Sequence, residues 1–275
     1  MQKLWNGNGS SSIGHFSKME YIIICSVAFL GSGLTLFSGF GLGTLLVPVF
    51  GLFFPIEIAI ILTAIVHFLN NLFKLSLLGK HADKATIIRF GIPSIFAAFL
   101  GAYVLTQLNT LSPIFTYDFI RKTFSVLPLK LIIGVLLILF ALFDIVPSLA
   151  NLQFDKKYLP LGGLLSGFFG GLSGNQGALR AAFLIRANLS KEAYIATGVV
   201  IACLIDTTRL FVYSKQLFSI ANQSNALLLV AATLSAFLGA YLGNKMLKKA
   251  TIKTVQTIVA FMLIGFGLLL SIGII

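Results

Sequence analysis

The fold is decided by two glycine-rich stretches, Ser38-Gly39-Phe40-Gly41-Leu42-Gly43 and Gly170-Gly171-Leu172-Ser173-Gly174-Asn175-Gln176-Gly177. They interrupt the apolar runs 21–54 and 158–188, each too long for one membrane helix and short for two. Glycine breaks a helix at little cost, and non-helical backbone at membrane depth survives only where it is buried in protein or lines a cavity. Each run is therefore expected to form a Gly-broken helical hairpin.

The composition of the remaining sequence places the chain in a membrane. Of its 275 residues, 57% are hydrophobic and 10% are charged, with a mean hydropathy of +0.98. A soluble domain carries about a quarter charged residues, so a soluble enzyme is excluded. Six further apolar runs have the length of one spanning helix; they are 56–78, 90–108, 129–146, 192–213, 226–244 and 254–275. An all-α polytopic membrane protein is predicted.

The two halves of the chain repeat one another. Residues that recur at an offset of 135 are Glu57, Asn71, Lys74 and Lys80, repeated as Glu192, Asp206, Arg209 and Lys215. Phe99-Leu100-Gly101-Ala102-Tyr103 recurs as Phe237-Leu238-Gly239-Ala240-Tyr241. Each repeat is a broken hairpin followed by three transmembrane helices. The predicted divisions are a disordered tail (1–20), a first repeat (21–146), a linker (147–157) and a second repeat (158–275).

Basic residues in the loops indicate how the repeats are inserted. If each broken segment crosses the membrane once, the two sides hold nine basic residues each; if each segment returns, the counts are 12 and six. Only the second arrangement obeys the positive-inside rule. It gives an odd number of crossings per repeat, so the repeats would be inverted and both termini periplasmic. Re-entrant arms and two tilted full spans give the same sidedness and remain alternatives.

The helix restarts at Gly43-Thr44 and Gly177-Ala178 are candidates for binding an anion. Such a restart points unpaired backbone N–H groups and the positive end of a helix dipole into the protein. The neighbouring neutral donors are Ser38, Ser173, Asn175 and Gln176, and the glycines that would give backbone access are Gly39, Gly41, Gly43, Gly174 and Gly177. The alternative is that the glycines only permit close helix packing.

Arg180 follows the second restart by three residues, well inside an apolar run. A charge there costs about 2.5 to 3.5 kcal/mol on insertion scales, so the side chain needs a partner or a wet cavity. Beside a helix N-terminus and amide side chains, its guanidinium could hold an oxyanion through two parallel hydrogen bonds. A structural ion pair or snorkelling toward the loops is the alternative.

A second group of candidates concerns proton coupling or gating. Asp206 and Arg209 are three residues apart on one helix face, as are their equivalents Asn71 and Lys74. Asp206 could carry the proton of a coupled transporter, or it could only form an intrahelical salt bridge. His67 is the other candidate for proton coupling, with a purely structural hydrogen bond as its alternative. Glu57 and Glu192 are interpreted as helix caps.

Other kinds of chemistry find less support. Cys25 and Cys203 are spaced for neither a metal nor a disulfide, so no metal site or cofactor is expected. Cations in short loops set topology, which argues against nucleic-acid binding. Gly171-Leu172-Ser173-Gly174 resembles the nucleophile motif of rhomboid intramembrane proteases. That chemistry needs a histidine on a later helix, and every histidine here precedes Ser173. The chain is not expected to be an enzyme.

The glycine-rich stretches resemble the signatures of the TauE/SafE permease family. The stretch that resembles the family's first signature is Ser38-Gly39-Phe40-Gly41-Leu42-Gly43-Thr44-Leu45-Leu46-Val47-Pro48. The stretch that resembles the second signature is Leu172-Ser173-Gly174-Asn175-Gln176-Gly177-Ala178-Leu179-Arg180. It is similar to a branch of the family in which Asn and Gln replace glycines of the signature. The likeness covers about residues 21–275. It implies export or uptake of sulfite, sulfonates or related small anions across the bacterial inner membrane, coupled to protons.

The sequence therefore predicts an inverted-repeat secondary transporter for a small oxyanion. Its partners would be the anion and the lipid bilayer. A passive anion channel, an intramembrane serine hydrolase and a scaffold are the alternatives. The exact substrate, the direction of transport and the oligomeric state, including a homo-oligomer, are left open.

Overall fold

The computed structural model describes residues 18–38, 41–120, 122–221, 226–246 and 252–275. The structure is 81% helical. Within these described ranges, six helices are long and apolar enough to cross a membrane. These observations confirm the prediction of an all-α polytopic membrane protein. The N-terminal tail predicted to be disordered lies almost wholly outside the described residues.

The helices follow the predicted apolar runs closely. The first half contains α1 (Lys18–Ser38), α2 (Leu42–Gly51), α3 (Ile56–Leu78), α4 (Lys84–Thr86), α5 (Ile92–Leu108) and α6 (Pro128–Ile145). The second half contains α7 (Pro147–Ala150), α8 (Leu159–Ser173), α9 (Gly177–Leu184), α10 (Lys191–Val212), α11 (Ser214–Ala221), α12 (Ala226–Met246) and α13 (Ile252–Ser271). A π-helical turn, Ile87–Gly91, joins α4 to α5, so that Lys84–Leu108 forms one continuous span.

Both glycine-rich stretches break a helix, as predicted. The first break separates α1 from α2, and the second separates α8 from α9. In the first break the helix restarts at Leu42, one residue before the predicted position, because Gly41 is extended and serves as the N-cap. The returning arms α2 and α9 contain 10 and 8 residues. At about 1.5 Å per residue, neither crosses a core of about 30 Å, which favours re-entrant arms over full spans.

The end of α8 depends on Gly174. Its φ of 79° lies in the left-handed region, and its N–H donates to the Gly170 carbonyl at 3.0 Å. This geometry is the common glycine cap of a helix C-terminus, and other residues adopt it at a cost. The chain can therefore leave α8 at this depth and begin α9 three residues later.

The two halves of the molecule interlock. Equivalent helices α3 and α10 pack against each other, and so do α6 and α13. In addition, α1 of the first half packs against α12 of the second, while α5 packs against α8. Because α1 is equivalent to α8 and α5 to α12, this packing maps onto itself when the halves are exchanged. The opposite insertion of the two halves in the membrane stays a prediction.

Glycines make the contacts between the halves close. A Cβ on Gly101 of α5 would collide with the Phe168 carbonyl of α8, and a Cβ on Gly239 of α12 would collide with the Phe29 carbonyl of α1. These are the central residues of the duplicated Phe-Leu-Gly-Ala-Tyr motif. The motif therefore recurs because each copy lets one helix backbone lie directly against another.

One element of the first half was not predicted. Residues between α5 and α6 form an antiparallel hairpin of β1 (Phe115–Phe119) and β2 (Lys122–Val126), with Phe115 opposite Val126. The Tyr117 hydroxyl donates to the Ile272 carbonyl at 2.6 Å, which ties the hairpin to the end of α13. The hairpin thus belongs to the region where α6 and α13 meet.

Candidate functional site

A stripe of buried polar side chains runs along α3. Its members are Thr63, His67, Asn70, Asn71 and Lys74. Their spacing of three and four residues places them on one side of the helix. Polar residues in membrane helices face the protein interior because lipid cannot satisfy their hydrogen bonds. This side of α3 is therefore an interior surface, and α10 packs against the same helix.

The carboxylate of Asp206 on α10 connects the two halves. One oxygen lies 2.6 Å from Nδ1 of His67 and accepts a hydrogen bond from Nδ2 of Asn71 at 3.3 Å. The other oxygen accepts from Nε of Arg209 at 3.0 Å and lies 2.8 Å from its Nη2. The predicted intrahelical pair of Asp206 and Arg209 is thus present. It is part of a larger cluster that includes His67 and Asn71 of the opposite repeat.

Arg209 extends from this cluster to the second helix break. Its side chain is fully buried, and a Cβ built on Gly174 would lie only 2.8 Å from Nη1. Within the described part of the chain, Nη1 has no hydrogen-bond partner. The left-handed backbone of Gly174 therefore favours glycine, and any side chain there would also press against the Arg209 guanidinium.

The second break also holds two buried amide side chains. Asn175 is 2% exposed and Gln176 is 1% exposed. Among the described residues, neither polar atom of the Asn175 amide has a partner, and neither does Nε2 of Gln176. A buried polar group without a partner costs about 1 to 3 kcal/mol, so such groups require water or a ligand. The N-terminus of α9 begins at the next residue, Gly177.

The first break lies beside the second. A Cβ built on Gly43 would be 3.0 Å from the Gly174 carbonyl, and one on Gly41 would be 3.5 Å from Nε2 of His67. The buried hydroxyl of Thr63, whose methyl group is close to Gly43, has no partner in the described structure. Gly39 and the Ser38 side chain lie outside the described residues. The two breaks thus lie next to each other at Gly43 and Gly174, and the first break also lies beside His67 of the cluster that contains Asp206.

Arg180 borders this junction. Its Nη1 donates to Oε1 of Gln176 at 3.2 Å, and its Nε lies 3.4 Å from a Cβ built on Gly198 of α10. The side chain is half-buried. Its charge interacts with those of Asp206 and Lys74. Arg180 therefore places a second guanidinium group on α9 beside the second break, to which Gln176 links it.

The Ser173 hydroxyl forms its hydrogen bonds within α8 and the second break. Its hydroxyl donates to the Phe169 carbonyl at 2.9 Å and accepts from the Asn175 N–H at 3.3 Å. The proton is engaged within α8, so the hydroxyl shapes the break instead of pointing a donor at a ligand. His67, the histidine of the cluster, is bonded to Asp206 and Asn71. This geometry gives no support to a serine nucleophile.

Lys74 forms the outer end of the polar stripe. It is 5% exposed, and its Nζ lies 3.3 Å from the side-chain oxygen of Asn70 when that amide is oriented toward it. In this orientation the Asn70 amide donates to the Ala236 carbonyl and lies 3.0 Å from the Ser32 hydroxyl. No carboxylate pairs with Lys74 in the described structure.

Sequence reasoning missed several residues of this region. Thr63 and Asn70 belong to the polar stripe of α3, and their helical spacing with His67 and Lys74 was a signal that could have found them. Tyr213 is fully buried, and its hydroxyl donates to the Gly171 carbonyl at 2.6 Å, which supports the last turn of α8. No sequence signal pointed to this contact, because the two residues are 42 positions apart.

The arrangement can bind a small anion through neutral amides, guanidinium groups and a helix N-terminus. Among the described residues, no group of three or more His, Cys, Asp or Glu side chains could hold a metal ion.

Comparison with known proteins bears on the whole chain. No curated protein and no solved structure matches it. The family model described as "Sulfite exporter TauE/SafE" matches residues 24–270, which include both helix breaks and the polar cluster between them. The resemblance of the glycine-rich stretches therefore extends to nearly the whole chain. The chain belongs to the sulfite exporter TauE/SafE family.

Proposed function

We propose that the chain is a secondary transporter that moves a small oxyanion across the bacterial inner membrane, at a site between the two helix breaks. Membership of a family of exporters supports transport. Sulfite, sulfonates and related sulfur anions are the favoured substrates because the family description names sulfite. Discontinuous helices that meet inside the membrane are the usual location of substrate in such transporters.

The observation that carries this proposal is the set of unpaired donors at the second break. The Asn175 amide, Nε2 of Gln176 and Nη1 of Arg209 are buried and have no protein partner in the described structure. An oxyanion offers several acceptor oxygens and would satisfy donors of this kind at once. Charge-assisted hydrogen bonds from the guanidinium would contribute most of the affinity.

Proton coupling is assigned to the pair of Asp206 and His67. The pair joins α10 to α3, so a proton gained or lost there changes the attraction between the two repeats. In an inverted-repeat transporter, alternating access arises when one repeat moves against the other around the site. Protonation of this pair would thereby link the proton gradient to the movement.

The test replaces Asn175 by leucine, which has a similar size and no polar atoms. Anion affinity should fall because donors to the anion are lost, while the melting temperature of the anion-free protein should stay the same or rise. Isothermal titration with sulfite and a thermal melt of the purified protein measure both quantities. If Asn175→Leu lowers stability and leaves affinity unchanged, the amide serves the fold and the proposed site is wrong.

Arg180 provides a second test of the same site. Arg180→Gln should lower anion affinity at least tenfold, or by about 1.4 kcal/mol, whereas Arg180→Lys should retain weak binding because it keeps the charge without the planar fork. Arg186→Gln is the matched control, because Arg186 is exposed and pairs with Asp155 at 3.2 Å. Unchanged affinity in a well-folded Arg180→Gln protein would remove Arg180 from the site.

A further inference from the structure

We infer that the site selects anions with two negative charges, and that Lys74 supplies the charge that makes a doubly charged anion the better ligand. This inference rests on the proposed function and specifies its substrate class. Three observations carry it: the balance of buried charges, the missing counter-ion of Lys74, and the proximity of Lys74 to the other charges of the site.

The balance of buried charges is positive. In the described part of the chain, the buried charged side chains are Lys74, Asp206 and Arg209, and Arg180 is half-buried beside them. Among these four side chains, one carboxylate is therefore outnumbered by three cations. With His67 neutral, these four side chains together carry a net charge of about +2 before an anion enters, by the charges they ordinarily hold.

Comparison of the halves shows where the excess arises. Arg209 has Asp206 as its partner three residues earlier on α10. At the equivalent place on α3, Lys74 follows Asn71, which is neutral and gives its own hydrogen bond to Asp206. The contact described for Lys74 is with another neutral amide, Asn70, at 3.3 Å. The first half thus keeps the cation of the pair and lacks the anion.

Lys74 also lies within electrostatic reach of the rest of the site. Lys74 lies within range of the Arg180 charge on α9, and it follows His67 by about two turns on the same side of α3, where both side chains are buried. Like charges inside a membrane protein are costly unless an opposite charge joins them. A singly charged anion would leave one excess positive charge in the interior, whereas a doubly charged anion would leave none.

The experiment compares two tetrahedral sulfur anions that differ mainly in charge. Sulfate carries two negative charges and methanesulfonate carries one. Affinities of the purified full-length protein for both are measured by isothermal titration. The wild-type protein is expected to prefer sulfate by at least tenfold, since sulfate neutralises one more positive charge than methanesulfonate does in a medium of low dielectric constant.

Two variants reduce the excess charge by independent routes. Lys74→Met removes the cation, and Asn70→Asp gives Lys74 a carboxylate of nearly the same shape as the amide it already contacts. Each should reduce the preference for sulfate at least tenfold, mainly through weaker sulfate binding. Lys80→Met is the matched control, because Lys80 is an exposed lysine beyond the end of the same helix. It should leave the preference unchanged.

The outcomes separate this inference from the proposed function. If methanesulfonate binds the wild-type protein as well as sulfate does, or if folded Lys74→Met and Asn70→Asp proteins keep the full sulfate preference, the inference is overturned while the anion site stands. If neither anion nor sulfite binds the wild-type protein, the proposed function fails and the inference fails with it. Should Lys74→Met not fold, the isosteric Asn70→Asp protein decides the question alone.

Discussion

Gly101 in the first half and the equivalent Gly239 in the second half both pack against a helix backbone of the opposite half. The equivalent residues Asn71 and Asp206 differ in chemistry and form different contacts. Each glycine lets its helix lie against a backbone of the opposite half. Asn71 donates a hydrogen bond to the very carboxylate that replaces it in the second half. The two halves therefore agree where backbones pack and differ where charges are buried. The shared packing holds the molecule together, and the differences make the two sides of the proposed site unequal.

Substitution of the paired glycines should have the largest effect. Gly101→Val and Gly239→Val each place a side chain against a carbonyl of the neighbouring helix, so both should lose folded protein, with a cost above the range of about 1 to 3 kcal/mol for ordinary overpacking. Size-exclusion profiles and melting temperatures measure this.

Gly265→Val on α13 is the control for this comparison, because nothing lies within 4 Å of a Cβ at that position. If one half tolerates valine and the other does not, the two interfaces are not equivalent.

Labelling of equivalent loop lysines tests whether the halves are inverted. In a background where Cys25 and Cys203 are replaced by alanine, Lys80→Cys should resist an impermeant thiol reagent in intact cells and Lys215→Cys should react. Both lysines are exposed in the structure, so burial in the protein does not explain a difference. Reaction at both positions, or at Lys80→Cys alone, contradicts the inverted arrangement; permeabilised cells supply the positive control.

Replacement of Asp206 by the side chain found at position 71 should abolish coupling. Asp206→Asn is expected to stop proton-driven anion uptake in proteoliposomes and to leave anion-for-anion exchange. It should also cost roughly 3 to 5 kcal/mol of stability, because Arg209 loses its buried partner. The additional change Arg209→Lys copies the first half fully and should recover part of that loss. Uphill uptake that survives in Asp206→Asn would make Asp206 a structural partner only.

The smallest effect is expected at Asp83, which caps α4 in the first half. Hydrogen bonds from Thr86 hold the pKa of the Asp83 carboxyl below its ordinary value. A lowered pKa stabilises the fold at neutral pH, and this contribution disappears as the pH falls below about 4. Asp83→Ala should cost about 1 kcal/mol or less at pH 7.

Asp83→Asn separates the cap from the charge. Asparagine keeps an oxygen for the Thr86 N–H, so its melting temperature should stay close to that of the wild-type protein at neutral pH and lack the dependence on acidic pH that Asp83 gives. An equal loss for alanine and asparagine would show that the charge, and not the hydrogen bond, stabilises this turn.

Much of the fold could be predicted because its signals are local. Runs of apolar residues predict the helices. The glycine-rich stretch around Gly174 predicts the break, because glycine adopts the left-handed backbone found there at little cost. The central cluster was only partly accessible, because the contact between His67 and Asp206 joins residues 139 positions apart. The β1–β2 hairpin escaped because no apolar run marks it. The direction of the Ser173 hydroxyl escaped for another reason: its partner is a carbonyl of its own helix.

The exchange of packing partners between the halves has a consequence for how the protein is made. Synthesis proceeds from the N-terminus, so α1 and α5 enter the membrane before their partners α12 and α8 exist. The polar side of α3 lacks the Asp206 carboxylate until α10 is inserted, and the faces of α5 and α1 that pack against the second half stay uncovered until α8 and α12 are inserted. The first half is therefore expected to be only loosely packed during synthesis. Helix α12, among the last to be inserted, then completes the packing around α1.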